Sequence, residues 1–314
     1  MSCVFVSCLG SLFTLRWKWH LCVQDDEDVF LLSKIADILR PLLSCYKEEF
    51  FPHFDKLLPH FTRLLGPDRP WPDHQWSLCV FDDIIEYGGP ACERYRNCFL
   101  ERLLALLTST SPEVRQAASY GIGVLAQFGG EGFVQTCVQA VPVLVAMIEA
   151  PDSRAPERVF ATENAISAVS KVLLWRSQAI NADELIPRWF SWLPVWEDDE
   201  ENPHVYGLLC SLLEVNHPAL LGKDNANLPR VVMVMAEAFA KEAVEPSSPV
   251  GARMVALLNS LKVIAEFKRE SGKKSICASE GSCRSREFTH PTAIFENPPL
   301  GNTMTSAIGV CSVV

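Results

Sequence analysis

The chain contains recurrent segments in which apolar residues return every three or four positions, the spacing of one face of an α-helix. The clearest is SPEVRQAASYGIGVLAQFGG, residues 111–130. Ser111 is suited to cap a helix N-terminus, Pro112 to fill the first helical position, and Gly129 and Gly130 to end the helix. The apolar face consists of Val114, Ala117, Ala118, Gly121, Ile122 and Leu125. Because several of these side chains are small, the pattern predicts a helix packed closely between other helices.

Similar amphipathic segments recur along the chain at regular intervals. They begin near Asp73, Ser111, Pro156, Pro203 and Pro249, and are separated by 38, 45, 47 and 46 residues. Repeats of about 40–47 residues with two helices each are typical of HEAT and armadillo arrays. The spacing therefore predicts a stack of helix pairs.

A second class of helix lies between these segments and often carries a proline after an apolar residue. The prolines are Pro59, Pro142, Pro187 and Pro229, and their mean spacing is close to 42 residues once a copy without proline is counted. We expect each proline to lie inside the first helix of its pair and to bend it on the outer side of a curved array. An irregular helical bundle is the alternative, but it does not predict a fixed proline spacing.

The predicted fold is therefore all-α: a HEAT-repeat solenoid, wound as a right-handed superhelix of antiparallel helix pairs. About five to six pairs fit into residues 25–267. Residues 1–24 are predicted to be a non-repeat segment. Residues 268–314 lose the period and are rich in Ser, Gly, Pro and Thr, so we expect a disordered tail there.

Charge and cysteine usage narrow the class of protein. The 314 residues carry a formal net charge of −10, which argues against direct binding of nucleic acid. An acidic surface attracts basic partners, although many soluble proteins are acidic without such a role. The 12 cysteines form no C-x-x-C motif, so we expect reduced thiols in a cytosolic or nuclear protein.

The N-terminal stretch 1–19 is apolar, but RWKWH interrupts it and no basic residue precedes it. A signal peptide is the less favoured interpretation, and the stretch is too short to span a membrane. The four residues from Cys311 resemble a prenylation box only poorly, because Ser312 is not aliphatic. We see no other membrane candidate and expect no membrane partner.

Catalytic and metal-binding patterns are missing from the sequence. It contains no Walker loop, no G-x-S-x-G and no H-E-x-x-H, and its histidines and cysteines do not have zinc-ligand spacing. Asp82, Asp83 and Glu86 share one helix, but adjacent residues point about 100° apart, so exposed charge is the expectation rather than an acid–base pair. We expect no enzyme activity, no cofactor and no metal.

The acidic run EDDEE, Glu197 to Glu201, follows WFSWLPVW and precedes Pro203. It is predicted to lie in a turn between paired helices. One interpretation is favourable charge at a helix N-terminus. The other is a binding patch for Lys/Arg-rich segments, with Trp192 and Trp196 covering their aliphatic stems.

Several ordered motifs together resemble a known family. They are WSLCVFDDIIEYGGP, SPEVRQAASYGIGVLAQFGG, ATENAISAVSKVL, WFSWLPVWEDDEE and NHPALLGKDNANLPRV. Over roughly Asp25 to Leu261 the chain resembles the C-terminal part of an importin-beta family receptor of the karyopherin beta-3 type. Family members are several times longer, so a fragment, a splice form or a diverged form are all open.

The resemblance implies a nuclear import receptor that shuttles between cytoplasm and nucleus. Such a receptor binds basic, nuclear-localisation-bearing cargo on the inner face of its solenoid, contacts FG-repeat nucleoporins, and releases cargo to the GTP-bound GTPase Ran. Because the family's main Ran-binding surface lies in N-terminal repeats absent here, we expect Ran binding to be weak. The alternative is a HEAT-repeat scaffold that mediates protein–protein interaction without transport.

In the family, the second helices of the pairs line the concave face. Carried onto this chain, the polar positions of those helices include Asp82, Asp83, Glu86, Glu113, Arg115, Glu163 and Asn164. Arg115 is the exception, because we expect it to contact a neighbouring repeat and not cargo. The predicted cargo-binding residues are Asp83, Glu86, Glu163, Asn164, Glu197, Asp198, Asp199, Glu200 and Glu201.

Overall fold

Helices connected by short turns make up residues 26–262, the part of the chain that the computed structural model describes. No strand occurs within this range. The helices are α1 (Asp26–Tyr46), α2 (Leu58–Leu64), α3 (Trp71–Gly88), α4 (Arg96–Leu106), α5 (Pro112–Phe128), α6 (Val134–Ile148), α7 (Val159–Trp175), α8 (Ala182–Ser191), α9 (Asn202–Glu214), α10 (Leu228–Ala240) and α11 (249–262). The predicted all-α HEAT-repeat solenoid of helix pairs is confirmed.

The second helices of successive pairs form one layer. Within it α1 packs on α3, α3 on α5, α5 on α7, and α7 on α9, and the α5–α7 contact is the most extensive. Gly123 permits this approach, since a Cβ there would lie 2.9 Å from Cδ of Lys171 and 3.4 Å from Cα of Ala168. In α7 every residue of 161–173 is buried, because α5 and α9 of this layer and the first helices α6 and α8 all pack on it.

Helix α5 has the ends and the buried face predicted for it. The Ser111 hydroxyl accepts a hydrogen bond from the Val114 amide at 3.3 Å, and the helix begins at Pro112. It ends before Gly129, and Gly130 has a φ of +81°, a left-handed conformation that favours glycine. All six residues of the predicted apolar face are buried.

The first helices correct one expectation about the prolines. Pro142 and Pro187 lie inside α6 and α8, as expected. Pro59 and Pro229 instead occupy the first turn of α2 and α10, so they do not bend those helices. The first turn tolerates proline because its amides have no intrahelical acceptor.

Arginines join successive first helices. Arg102 of α4 donates to the carbonyl of Leu65 just beyond α2, at 2.7 Å. Arg230 of α10 donates to the carbonyl of Leu193 just beyond α8, at 3.2 Å. Arg188 of α8 pairs with Glu149 just beyond α6. A cation near a helix C-terminus is favourable, so these contacts help to fix each pair against the one before it.

One described segment is long and apolar enough to cross a membrane by length and composition. It is Glu131–Ile148, which contains α6 and has a mean hydropathy of 1.5. This segment was not among the membrane candidates expected from the sequence. In the fold, Cys137, Ala140 and Leu144 of this segment are fully buried and α6 packs on α5 and α7, as a core helix of a repeat does.

The predicted boundaries of the array lie outside the described residues. The non-repeat segment 1–24 and the disordered tail 268–314 therefore stay predictions.

We expect Gly121→Ala to lower the free energy of unfolding by about 1–3 kcal/mol, because overpacking a filled core forces its neighbours to shift. The new Cβ would lie 2.5 Å from Oδ1 of Asp82 and 2.7 Å from Cδ1 of Leu103, both buried. Denaturant unfolding of the full chain measures the change.

Gly207→Ala in α9 is the matched control, since nothing lies within 4 Å of its Cβ position. There the higher helix propensity of alanine should raise the free energy of unfolding by about 0.5–1 kcal/mol. Equal effects of the two substitutions would contradict the close approach at Gly121.

Candidate protein-binding site

The acidic run 197–201 forms the turn between α8 and α9, as predicted. Glu163 of α7 holds this turn from behind. Its carboxylate accepts hydrogen bonds from the backbone amides of Trp196, Glu197 and Asp198 at 3.2, 2.7 and 3.1 Å. Arg154 lies 3.4 Å from the same carboxylate. Burial raises the pKa of Glu163, and the three amides and Arg154 oppose that rise. Glu163 is only 1% exposed, so it positions the turn and presents no free surface to a partner.

Asn164 holds the same turn through its side-chain amide. The amide donates to Oδ2 of Asp198 at 2.6 Å and to the carbonyl of Phe160 at 3.0 Å. Oδ1 of Asp198 accepts from the amide of Glu201 at 3.2 Å. The buried Asn164 thus fixes Asp198, which is half-buried, rather than projecting into solvent.

A buried ion pair ties the end of the turn to α7. Nζ of Lys171 lies 2.8 and 3.0 Å from the two carboxylate oxygens of Glu201, and both side chains are almost fully buried. Nζ also lies 4.9 Å from the centre of the Tyr120 ring. The Tyr120 hydroxyl donates to Glu86 at 2.8 Å. One connected group of side chains therefore joins three helices and the turn, and it contains Lys171, Glu201, Tyr120 and Glu86. Asp82 is its fifth member, because Lys171 also attracts it.

Asp82 and Asp83 were expected to be exposed, and that expectation is wrong. They are 2% and 6% exposed, because α1 and α5 cover α3 on both sides. Nε of Arg40 lies 3.7 Å from Asp83. Burial raises the pKa of Asp83 to about 7, and Arg40 only partly opposes it. In the part of the chain that the structure describes, neither oxygen of Asp82 has a hydrogen-bond partner.

These groups line one cleft of ≈ 230 Å³ on the layer of second helices, which we call the acidic cleft. It is bounded by α1, α3, α5, α7 and the turn. Its charged lining residues are Asp37, Arg40, Asp82, Asp83, Glu113, Asp198, Glu200 and Glu201. Asp37, Glu113 and Glu200 are exposed, so the cleft opens to solvent. Acidic side chains outnumber basic ones in this lining by seven to one, so the cleft favours cations.

The structure brings together about half of the predicted cargo-binding residues. Those that line the acidic cleft are Asp83, Asn164, Asp198, Glu200 and Glu201. Glu197 and Asp199 are exposed on the turn outside it, while the half-buried Glu86 is bonded to Tyr120. Arg115 donates to carbonyls of its own preceding turn, at Ser109 and Thr110, and not to another repeat.

The two tryptophans are less available than the sequence suggested. Trp192 is 9% exposed and its indole N–H donates to Glu149. Nζ of Lys241 lies 5.3 Å from the centre of a Trp196 ring, so this chain's own lysine already covers that face.

Sequence reasoning missed Arg40, Trp76 and Lys171. Lys171 follows Ala168 by three positions on a face of small residues, and a lone charge on such a face was the available signal. No comparable signal marked Trp76, whose indole N–H is buried without a partner. Within residues 26–262, no cluster of three or more His, Cys, Asp or Glu has a geometry that could hold a metal ion.

Two protein families match parts of the chain. Importin repeat 6 matches residues 20–67, and the HEAT repeat matches residues 99–129. The second match covers most of α4 and all of α5.

Relatives of known name extend the likeness along the chain. Importin subunit beta-3 of Saccharomyces cerevisiae is 30% identical over 203 residues, which is 64% of this chain and 18% of the relative. The probable importin-5 homolog of Dictyostelium discoideum is 24% identical over 220 residues, which is 68% of this chain and 20% of the relative. The chain thus spans about a fifth of the length of these relatives.

Solved structures of the karyopherin Kap121p have a similar fold. The structure of Kap121p bound to the SUMO protease Ulp1p matches with a TM-score of 0.68 at 26% identity, over 84% of this chain and 24% of that chain. The structure of Kap121p bound to RanGTP matches with a TM-score of 0.65 at 24% identity.

We expect Lys171→Met to lower the free energy of unfolding by about 3–5 kcal/mol, because Glu201 is left as a buried charge without its partner. The exposed pair Arg253–Glu214 provides the control. Arg253→Met should cost about 1 kcal/mol or less. Equal losses in denaturant unfolding would show that burial of the Lys171 pair carries no penalty.

The raised pKa of Asp83 predicts a pH effect of definite sign. Because the folded chain holds this proton more tightly than the unfolded chain, the carboxyl favours the folded state most below pH ~4. That contribution is lost as the pH rises to about 7, by up to about 4 kcal/mol. The stability of the wild type relative to Asp83→Asn should therefore fall across this range and then level off.

The measurement is chemical unfolding of both proteins as a function of pH. Asp199→Asn, which makes the same substitution at an exposed position, is the control. A flat difference for Asp83→Asn would contradict the effect of burial on this carboxyl.

Proposed function

Because the proteins it resembles are importins and karyopherins, we propose that its layer of second helices binds basic segments of cargo proteins during nuclear import. The observation that carries the proposal is the acidic cleft together with the adjoining turn. The cleft holds seven carboxylates and one arginine. Glu197 and Asp199 extend the negative surface beyond it.

The turn is suited to this role because it is already held in place. Glu163 accepts three backbone hydrogen bonds from it, and Lys171 holds Glu201 at its end. Glu197, Asp199 and Glu200 therefore present exposed carboxylates from a fixed backbone. We assign direct contact with cargo to these three residues and to the cleft. We assign Glu163 and Asn164 the task of positioning them, in place of the direct contact expected from the sequence.

The further partners are those suggested by the relatives. Kap121p has been solved bound to RanGTP and bound to Nup53p. We extend both kinds of partner to this chain. The same proposal places the protein in the cytoplasm and the nucleus and gives it a binding role without catalysis.

We expect the full chain to bind a fluorescent Lys-rich nuclear-localisation peptide, with affinity that falls as salt is added, since exposed charges are screened. Replacing Glu197, Asp199 and Glu200 together by Gln, Asn and Gln should weaken binding by about tenfold. This estimate takes roughly 0.5 kcal/mol for each exposed charge. Fluorescence anisotropy measures the affinity.

The matched control replaces Glu48, Glu49 and Asp68 by Gln, Gln and Asn. These residues are also exposed, and their replacement removes the same net charge away from the turn. Equal weakening by both triple variants would mean that only net charge matters and would argue against a site. Competition by GTP-loaded Ran supports a transport receptor, whereas a folded chain that binds neither peptide nor Ran supports a scaffold.

A further inference from the structure

One carboxylate in the acidic cleft lacks a partner. Asp82 is 2% exposed, and both of its oxygens are buried without a hydrogen bond to any residue of the described range 26–262. A carboxylate needs donors, and a protonated carboxyl needs an acceptor for its own O–H. In either state, therefore, the hydrogen-bonding capacity of Asp82 at the cleft is not met by the described residues.

The other carboxylates around the cleft are already engaged. Asp37 pairs with Lys34, Asp83 with Arg40 and Glu201 with Lys171. Asp198 accepts from Asn164, and Glu113 accepts from the Ser111 hydroxyl. Glu200 is exposed to water. Asp82 alone among the seven is both buried and without a partner, which makes it the position where an added cation gains most.

The groups that face Asp82 leave it short of positive charge. On its own helix, Asp83 and Glu86 are both acidic and raise its pKa further, after burial itself. From α5, Tyr120 lies nearby with its hydroxyl bonded to Glu86, and Gly121 offers no side chain. From α7, Lys171 attracts Asp82, but its ammonium is bonded to both oxygens of Glu201.

From α1, Arg40 is engaged with Asp83 and with the Tyr87 hydroxyl. From α4, Leu103 is apolar. No cation of the described chain is therefore left to neutralise Asp82.

A second unsatisfied group lines the same cleft. The indole N–H of Trp76 is buried without an acceptor. An inorganic cation or a free polyamine offers no acceptor to this donor. A lysine within a peptide offers both an ammonium group for Asp82 and backbone carbonyls for Trp76.

We propose that the acidic cleft is a pocket for one lysine side chain of a bound peptide. In this pocket Asp82 accepts hydrogen bonds from the ammonium group, and the Trp76 N–H donates to a peptide carbonyl. The inference rests on the proposed function and narrows it to a single residue of the cargo. Burial without donors raises the pKa of Asp82, so entry of an ammonium group favours the carboxylate and displaces the proton that the carboxyl holds. Binding therefore weakens as the pH falls.

The experiment is calorimetric titration of the full chain with the Lys-rich peptide in two buffers whose ionisation enthalpies differ. The wild type should release a fraction of a proton for each peptide bound, seen as a buffer-dependent heat. Asp82→Asn should abolish that release and weaken binding by about tenfold or more, the usual loss for a buried charge-assisted hydrogen bond. Circular dichroism confirms that the variant is folded.

Asp68→Asn is the matched control, because it makes the same substitution at an exposed position outside both the cleft and the turn. It should keep the proton release and lose only a small part of the affinity. Trp76→Phe should weaken peptide binding but keep the proton release, because Asp82 is unchanged. A peptide with Nε-acetylated lysines should neither bind tightly nor release the proton.

Three results would overturn the proposal. Peptide binding without proton release, and with equal affinity in Asp82→Asn, would leave Asp82 as a structural acid in contact with water alone. Displacement of the peptide by spermidine at similar affinity would make the ligand a free polyamine. No peptide binding by the wild type would overturn the proposed function as well, whereas the first result leaves that function standing.

Discussion

Gly121 and Gly123 let α5 approach α3, α4 and α7 so closely that no space is left between the helices for larger side chains. The buried polar residues of α3 and α7 must then find their partners within the protein. Lys171 and Glu201 do so as a buried pair, and Glu163 does so with three backbone amides. Asp82 is the exception, because both of its oxygens are buried without a hydrogen bond to a described residue.

The same packing explains what the sequence could and could not predict. The ends of α5 and the position of the turn 197–201 depend on local signals, namely a capping serine, glycines and a charged run, and both are confirmed. The burial of Asp82 and Asp83 depends on which helices flank α3, and no local pattern specifies them. Pro59 and Pro229 show a related limit, since a proline marks either a bend or a helix start and only the neighbouring turns decide which.

The two layers of the solenoid use charge differently. Between first helices, Arg102 and Arg230 donate to carbonyls at the ends of preceding helices, so these cations stabilise the contacts between repeats. On the layer of second helices, acidic groups outnumber basic ones around the cleft. The charged groups of the first helices thus hold neighbouring repeats together. Those of the second helices produce a negative field that can attract a second molecule.

The way Glu163 holds the turn has a kinetic consequence. A loop that must be ordered during binding loses conformational entropy at that moment, which slows or weakens capture. The backbone of this turn is already restrained by one buried carboxylate, so its exposed acids act as a fixed set of charges. Under the proposed function, the rate of encounter with a basic segment is governed by diffusion in the field of the protein, and ionic strength changes the association rate more than the dissociation rate.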